Sequence, residues 1–180
     1  MVMSDFNLLV STPRTMETDA CSEVWFLLNE VGDREPVVER TGVTGLVAAR
    51  TKLDPKKVIE ELRELLKSRP GEFRFALRFV PVEAVVPTNL EDIKIASIEL
   101  SPRIREGETF RVTVEKRHTT LTSMEIVEAV AENIQRKVDL LNPDKIVLIE
   151  VVGGLTGVSV IEPDGVLSVV KEKSGLDLSG

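Results

Sequence analysis

Residues 109–122, TFRVTVEKRHTTLT, decide how the rest of the chain is read. Phe110, Val112 and Val114 alternate with Arg111, Thr113, Glu115 and Arg117, the period-two pattern of a strand with one buried face. The strand closes on Lys116, Arg117 and His118, and three threonines follow. Thr122-Ser-Met-Glu125 is a capping box: the threonine hydroxyl can accept from the amide three residues on while the glutamate reaches back. Leu121 and Ile126 stand at the spacing of a hydrophobic staple, so a strand hands over directly to a helix beginning at Ser123. A helix start presents unpaired N–H groups and the positive end of the helix dipole. Here a cationic triplet and several hydroxyls lead into it, a composition suited to phosphate oxygens. The same residues also fit a solvated basic strand end paired with Glu115 or Glu125.

Downstream, Ile126, Val127, Val130, Ile134 and Val138 share one stripe, which predicts a helix from Ser123 to about Lys137. Asn142-Pro-Asp144 is a turn. KIVLIEVV, residues 145–152, is apolar at nearly every position and reads as a strand covered on both faces. Gly153-Gly154 turns the chain into a further strand, Thr156 to Ile161. Asp164 caps a last short helix containing Val166, Leu167, Val169 and Val170, and the tail from about 174 is expected to be flexible. Upstream, Thr88-Asn-Leu-Glu91 is a second capping box, for a helix through Ile93, Ala96, Ser97 and Leu100 that Pro102 stops. Arg103, Arg105 and Gly107 form the loop into the central strand.

The first half of the chain has its own pattern. Phe6 to Ser11 is a short strand. Ala20, Val24, Leu27, Leu28 and Val31 form the stripe of a helix that Gly32 ends, with Trp25 at its edge. Two short strands, Val37 to Arg40 and Leu46 to Thr51, flank Gly42-Val-Thr-Gly45. Asp54 with Pro55 starts a second helix, whose inward face is Val58, Ile59, Leu62, Leu65 and Leu66. An alternating strand, Phe73 to Val80, follows Pro70-Gly71. Strand, helix, strand, strand, helix, strand is the split βαβ order of a ferredoxin-like sandwich, α+β, with one sheet face left partly open and Arg74 and Arg78 on it. Pro81 to Pro87 reads as the junction, which divides the chain into domains 1–86 and 87–180.

At 180 residues, 42% hydrophobic and 29% charged, the chain is a globular protein with a sizeable core. No run approaches the ~18 uncharged apolar residues of a membrane span, and the N-terminus has no signal-peptide pattern, so the expected compartment is the cytoplasm. A net charge of −7 excludes coating of nucleic acid through bulk basicity, and 4% aromatics with no tyrosine disfavours a base-stacking platform. Cys21 is the one cysteine and His118 the one histidine. Nucleophile–histidine catalysis and cysteine zinc sites therefore have little to draw on, and metal-ligand spacings and cofactor motifs are absent. Gly153-Gly154-Leu-Thr-Gly157 lacks the lysine of a phosphate-binding loop and joins two strands.

FRVTVEKRHTTLTSMEIVEAVAENI followed by KVDLLNPDKIVLIEVVGGLTGVSVI resembles the THUMP domain, and most closely the stand-alone THUMP adaptors of tRNA cytidine acetylation. The resemblance covers roughly residues 87–171, and the unit before it is similar to the small ferredoxin-like domain that precedes THUMP, a mixed sheet with helices. It implies binding of the tRNA acceptor stem and 3′ end by the two domains, with the chemistry done by a separate modifying enzyme, here a cytidine acetyltransferase. No methyltransferase, acetyltransferase or pyrophosphatase motif accompanies the unit, so the chain is expected to be an adaptor and not an enzyme. The expected RNA contacts are Arg103, Arg105, Arg111, Lys116, Arg117, His118 and Thr119, with main-chain donors at Ser123 and close backbone approach at Gly153 and Gly154. Recognition would be of shape. The other reading is a protein-interaction scaffold of an RNA-modification complex with little RNA affinity, which the net charge favours. A small-molecule enzyme using the open face of the first sheet has no residue cluster behind it.

Overall fold

The computed structural model describes residues 3–179, with side chains to residue 176, and divides into two compact units. The first runs to Pro81 and takes the chain back from Gly165; the second is Val82–Asp164. The division therefore differs from 1–86 and 87–180 at both ends of the second unit.

The first unit is built from β1 (Leu8–Ser11), α1 (Glu17–Glu30), β2 (Val37–Arg40), β3 (Leu46–Arg50), α2 (Pro55–Ser68) and β4 (Arg78–Pro81). β1 lies between β4 and β3, and β2 lies outside β3, all antiparallel neighbours, which is the ferredoxin-like order. Period two on the strands and period 3.6 on the helices bring Leu8, Val10, Val47, Ala49 and Phe79 against Ala20, Val24, Leu27, Leu28, Val58, Ile59, Leu62 and Leu66 in one core. Asp54 caps α2 as its sequence demands, accepting from the Lys56 amide.

Two features depart from the sequence reading. The strand expected from Phe73 begins only at Arg78. The amides of Arg74, Phe75 and Ala76 all donate to the Glu23 carboxylate on α1, at 2.7, 2.9 and 2.6 Å. Three successive N–H groups aimed at one acceptor cannot alternate between sheet neighbours, so Arg74 lies outside the sheet. Nor is the second sheet face open: Leu9, Ala48 and Val80 project there and are buried.

The second unit comprises β5 (Ala84–Pro87), α3 (Leu90–Leu100), β6 (Thr109–Arg117), α4 (Ser123–Ala131), β7 (Lys137–Val138), β8 (Lys145–Val152) and β9 (Leu155–Ile161). Its sheet has the order β5-β9-β8-β6-β7, with β6 parallel to both of its neighbours and the other pairs antiparallel. Ile93, Ala96, Ile126 and Val130 from the helices pack on Phe110, Val147, Ile149, Val151, Val158 and Val160. The strand at 145–152 is buried from Ile146 to Val152, as its continuous apolar run requires.

Here too the structure corrects the reading. The segment expected to be a linker pairs with β9 as β5. α3 is capped by Asn89, whose side chain accepts from the Asp92 amide at 2.8 Å, because the Thr88 hydroxyl is engaged with that of Thr156 at 2.8 Å. α4 stops at Ala131, six residues before Lys137. Past it the Arg136 guanidinium donates to the carbonyls of Ile104 and Arg105, and Lys137 and Val138 join β6 as a short strand. The predicted last helix begins instead as a strand, β10 (Leu167–Ser168), paired with β4 of the first unit. α5 (Val169–Ser179) then occupies the segment from 174 that was expected to be flexible, up to the limit of the described residues. Leu167 and Val169 belong to the first core, and Arg63 of α2 binds Glu172 of α5 at 3.0 Å. This apolar strip serves the N-terminal unit, which is why the second domain ends before it.

Candidate nucleic-acid interface

The corner between β6 and α4 forms as its sequence requires. The Thr122 hydroxyl accepts from the Glu125 amide at 3.1 Å, and the Glu125 carboxylate accepts from the Thr122 amide at 2.9 Å. The capping box leaves the amides of Ser123 and Met124 as the first donors of the helix. The Thr119 hydroxyl accepts from the Leu121 amide, which folds the connecting loop. The hairpin tip between β8 and β9 comes alongside, with the Gly153 amide donating to the Arg117 carbonyl at 2.9 Å. Gly153 has φ +60°, a turn conformation that suits glycine. A side chain on Gly153 or Gly154 would meet no protein atom within 4 Å, so the chain's own packing does not require glycine at either position.

Lys116, Arg117 and His118 do not act alike. Lys116 and Arg117 are adjacent in a strand and leave opposite faces of the sheet. Lys116, on the helix-covered side, is exposed, and its ammonium donates only to the Leu121 carbonyl among the described bonds. Arg117, on the other side, binds the Glu150 carboxylate at 2.8 Å, and Glu150 is 1% exposed. The strand end is thus ion-paired, through an acid of β8 and neither Glu115 nor Glu125. The one glutamate in KIVLIEVV was the signal for it. His118 is exposed with φ +55°, a left-handed conformation in which histidine is enriched over most side chains, and it turns the chain out of β6.

The remaining arginines lie elsewhere. Arg111 is six positions upstream of Arg117, roughly 20 Å at ~3.3 Å per residue. It donates to the Leu140 carbonyl, and its Nε is buried without a hydrogen-bond partner among the described residues. Arg103 and Arg105 stand before the other end of β6, and Arg103 binds Glu83 at 2.7 Å. The corner therefore brings together Lys116, Arg117, His118, Thr119, Ser123, Gly153 and Gly154, and leaves Arg103, Arg105 and Arg111 out.

The THUMP domain family matches residues 87–161, from the end of β5 through β9. Those residues are a THUMP domain. The chain is 26% identical over 156 residues to THUMP domain-containing protein 1 of Mus musculus, covering 76% of this chain and 45% of that protein. It is 32% identical over 135 residues to the Drosophila melanogaster homolog, covering 68% of this chain and 41% of that one. The match thus spans less than half the length of these relatives. Among solved structures, the fold is similar to that of PH1313 from Pyrococcus horikoshii, with TM-score 0.58, 19% identity and coverage of 87% of this chain and 55% of that one. It is also similar to a 4-thiouridine synthetase solved with RNA and ATP, with TM-score 0.50, 17% identity and coverage of 87% and 42%. At these identities the likeness is one of fold. Among the described residues no helix is long and apolar enough to cross a membrane, and no group of three or more His, Cys, Asp or Glu is placed to hold a metal.

Proposed function

We propose that this chain is a cytoplasmic, non-catalytic tRNA-binding adaptor that serves a separate tRNA-modifying enzyme, a cytidine acetyltransferase, by holding the acceptor stem and 3′ end. The observation that carries the reading is the β6–α4 corner of the THUMP domain. Lys116 and His118 stand exposed beside the first free amides of α4, where phosphate oxygens would find a mobile cation and main-chain donors together. Arg117, tied to Glu150, shapes the corner more than it supplies charge. Few side chains there could read base edges, so recognition is of backbone shape.

The test is Lys116→Ala measured against several tRNAs over a range of salt. The variant is expected to bind every tRNA more weakly, with the slope of log K against log salt reduced by about one. An unchanged affinity and slope would refute the assignment. The adaptor role is tested by reconstituting acetylation with the partner enzyme, with and without this chain.

A further inference from the structure

β6 has nine residues, yet β7 covers only Thr109 and Phe110 on its outer side. The main-chain groups of alternate residues point to opposite edges of a strand. On the β8 side, the Thr109 carbonyl accepts from the Asp144 amide and the Arg117 carbonyl from the Gly153 amide; on the β7 side, the Phe110 carbonyl accepts from the Asp139 amide. The even-numbered residues therefore face outward. Val112, Val114 and Lys116 turn both N–H and C=O to the outer edge, and among the described residues neither a strand nor a hydrogen bond meets those groups. Edges of this kind are ordinarily blunted by charged side chains, proline, a bulge or a covering segment, and of the three outward residues only Lys116 carries a charge. Residues 111–117 contain no proline, and the register with β8 runs unbroken from Phe110 to Arg117.

The chain after β7 is held away from this edge. The Asp139 carboxylate accepts from the amides of Leu141 and Asn142 at 3.0 and 2.9 Å, and Arg111 draws the Leu140 carbonyl at 3.1 Å. That turn leaves the column beyond β7 vacant and sets two leucines at its head, Leu140 68% and Leu141 86% exposed.

We propose that the outer edge of β6, from Val112 to Lys116, is a docking site for an extended segment of another protein, which adds as the next strand in the column that β7 begins. The outward groups come as donor and acceptor on each residue. Phosphate oxygens only accept, so a nucleic acid would set three carbonyls against anions, whereas a peptide strand satisfies every group. A second copy pairing antiparallel about Val114 would place Arg111 opposite Arg117 of the other copy, twice by symmetry, with one Glu150 carboxylate for each two arginines, so each end of the pairing would hold an excess positive charge. The occupant is a foreign strand with apolar residues beside Val112 and Val114 and polar ones on the opposite face, where Glu115 stands between Arg111 and Arg117 and Arg117 is paired with Glu150. The site is independent of the RNA reading, since it uses main-chain groups of β6 that no phosphate contact needs.

The test is residue-resolved amide exchange on the full chain, free and with a blocked seven-residue peptide alternating valine with glutamate. In the free protein the amides of Val112, Val114 and Lys116 should exchange about a hundredfold faster than those of Arg111, Thr113 and Glu115, and the peptide should slow the first set about tenfold. Val114→Pro deletes an outward N–H and leaves the ladder to β8 intact, as edge positions allow. It should still unfold cooperatively, at a urea midpoint lowered by the lost valine packing on the second core, and should lose the response to the peptide, and Val112→Pro makes the same test should Val114→Pro fail to fold. Protection of the three amides in the free protein, no slowing at millimolar peptide, or slowing confined to other residues would each overturn the proposal. So would a concentration-dependent dimer abolished by Val114→Pro, which would make the occupant a second copy, or slowing of the same amides by an RNA oligonucleotide.

Discussion

Arg117→Ala should damage the fold, whereas Lys116→Ala one residue away should not. The Arg117 guanidinium lies 2.8 Å from a Glu150 oxygen, with the glutamate side chain 1% and the arginine side chain 21% exposed. Removing one partner of a buried ion pair costs about 3–5 kcal/mol because the other charge stays desolvated. Partial exposure of the arginine and further contacts of Glu150 place this case at the low end, about 3 kcal/mol. Lys116 is exposed and touches one carbonyl, so its removal should fall within about 0.5 kcal/mol of the parent. The assay is equilibrium urea unfolding of Arg117→Ala, Glu150→Gln and the double variant. A neutral amide in place of the carboxylate no longer needs the cation, so the double variant should recover most of the loss, a coupling of about 2 kcal/mol. A coupling below about 0.5 kcal/mol would refute the idea that Arg117 is committed to the sheet. The result also decides how RNA data are read: weak tRNA binding by Arg117→Ala would report folding, and only Lys116→Ala would report contact.

Two further expectations concern what holds each unit. Leu167→Ala should destabilise the first unit by about 3 kcal/mol, as for a fully buried leucine. It can be followed through Trp25, the sole tryptophan, on α1, and a loss under about 1 kcal/mol would mean β10 does not close that core. Asp144 accepts from the amide and hydroxyl of Thr109, and these bonds hold its carboxyl below the usual range. A carboxyl depressed on folding contributes stability that is present above its unfolded pKa and lost as pH falls through the folded one. Asp144→Asn should therefore lower the urea midpoint of the second unit at neutral pH, with the difference from the parent vanishing on acidification toward about pH 2. A gap that is the same at both pH values would exclude the carboxylate as its source.

Periodicity made much of the fold legible because burial imposes it. Phe110, Val112 and Val114 against Arg111, Thr113 and Glu115 could describe only a half-buried strand, and Leu62 and Leu66 with Ile59 only a helix face. The misses arose where a local pattern had two uses. Phe73 to Leu77 alternates like a strand, but Glu23, fifty residues away, takes its amides, and no window of sequence contains both partners. Leu167 and Val169 read as helix because spacing says nothing about which sheet has a vacant edge. In the corner, the capping box was legible at Thr122 and Glu125 because both halves lie within four residues. That Lys116 and Arg117 diverge follows from the same alternation that identified the strand. The charge triplet drew attention to composition, and composition has no direction.

Direction is what would let β6 serve both proposed roles at once. A strand offers two side-chain faces and one main-chain edge, and in β6 they differ in chemistry. The helix-side face is apolar until Lys116, the opposite face carries Arg111 and Arg117, and the edge is an unpaired row of donors and acceptors. RNA drawn to the carboxyl end of the strand would use the Lys116 side chain and the amides at the start of α4. A peptide along the edge would use the main chain of the same lysine. The two ligands would thus share one residue through different groups, and an added strand would restrain Lys116 without neutralising it. If both sites operate, the peptide should tighten tRNA binding by ordering that side chain, and Val114→Pro should remove the coupling while leaving the tRNA affinity of the free protein in place. Equal tRNA affinity with and without bound peptide would show that the edge and the corner act separately, although they lie on one strand.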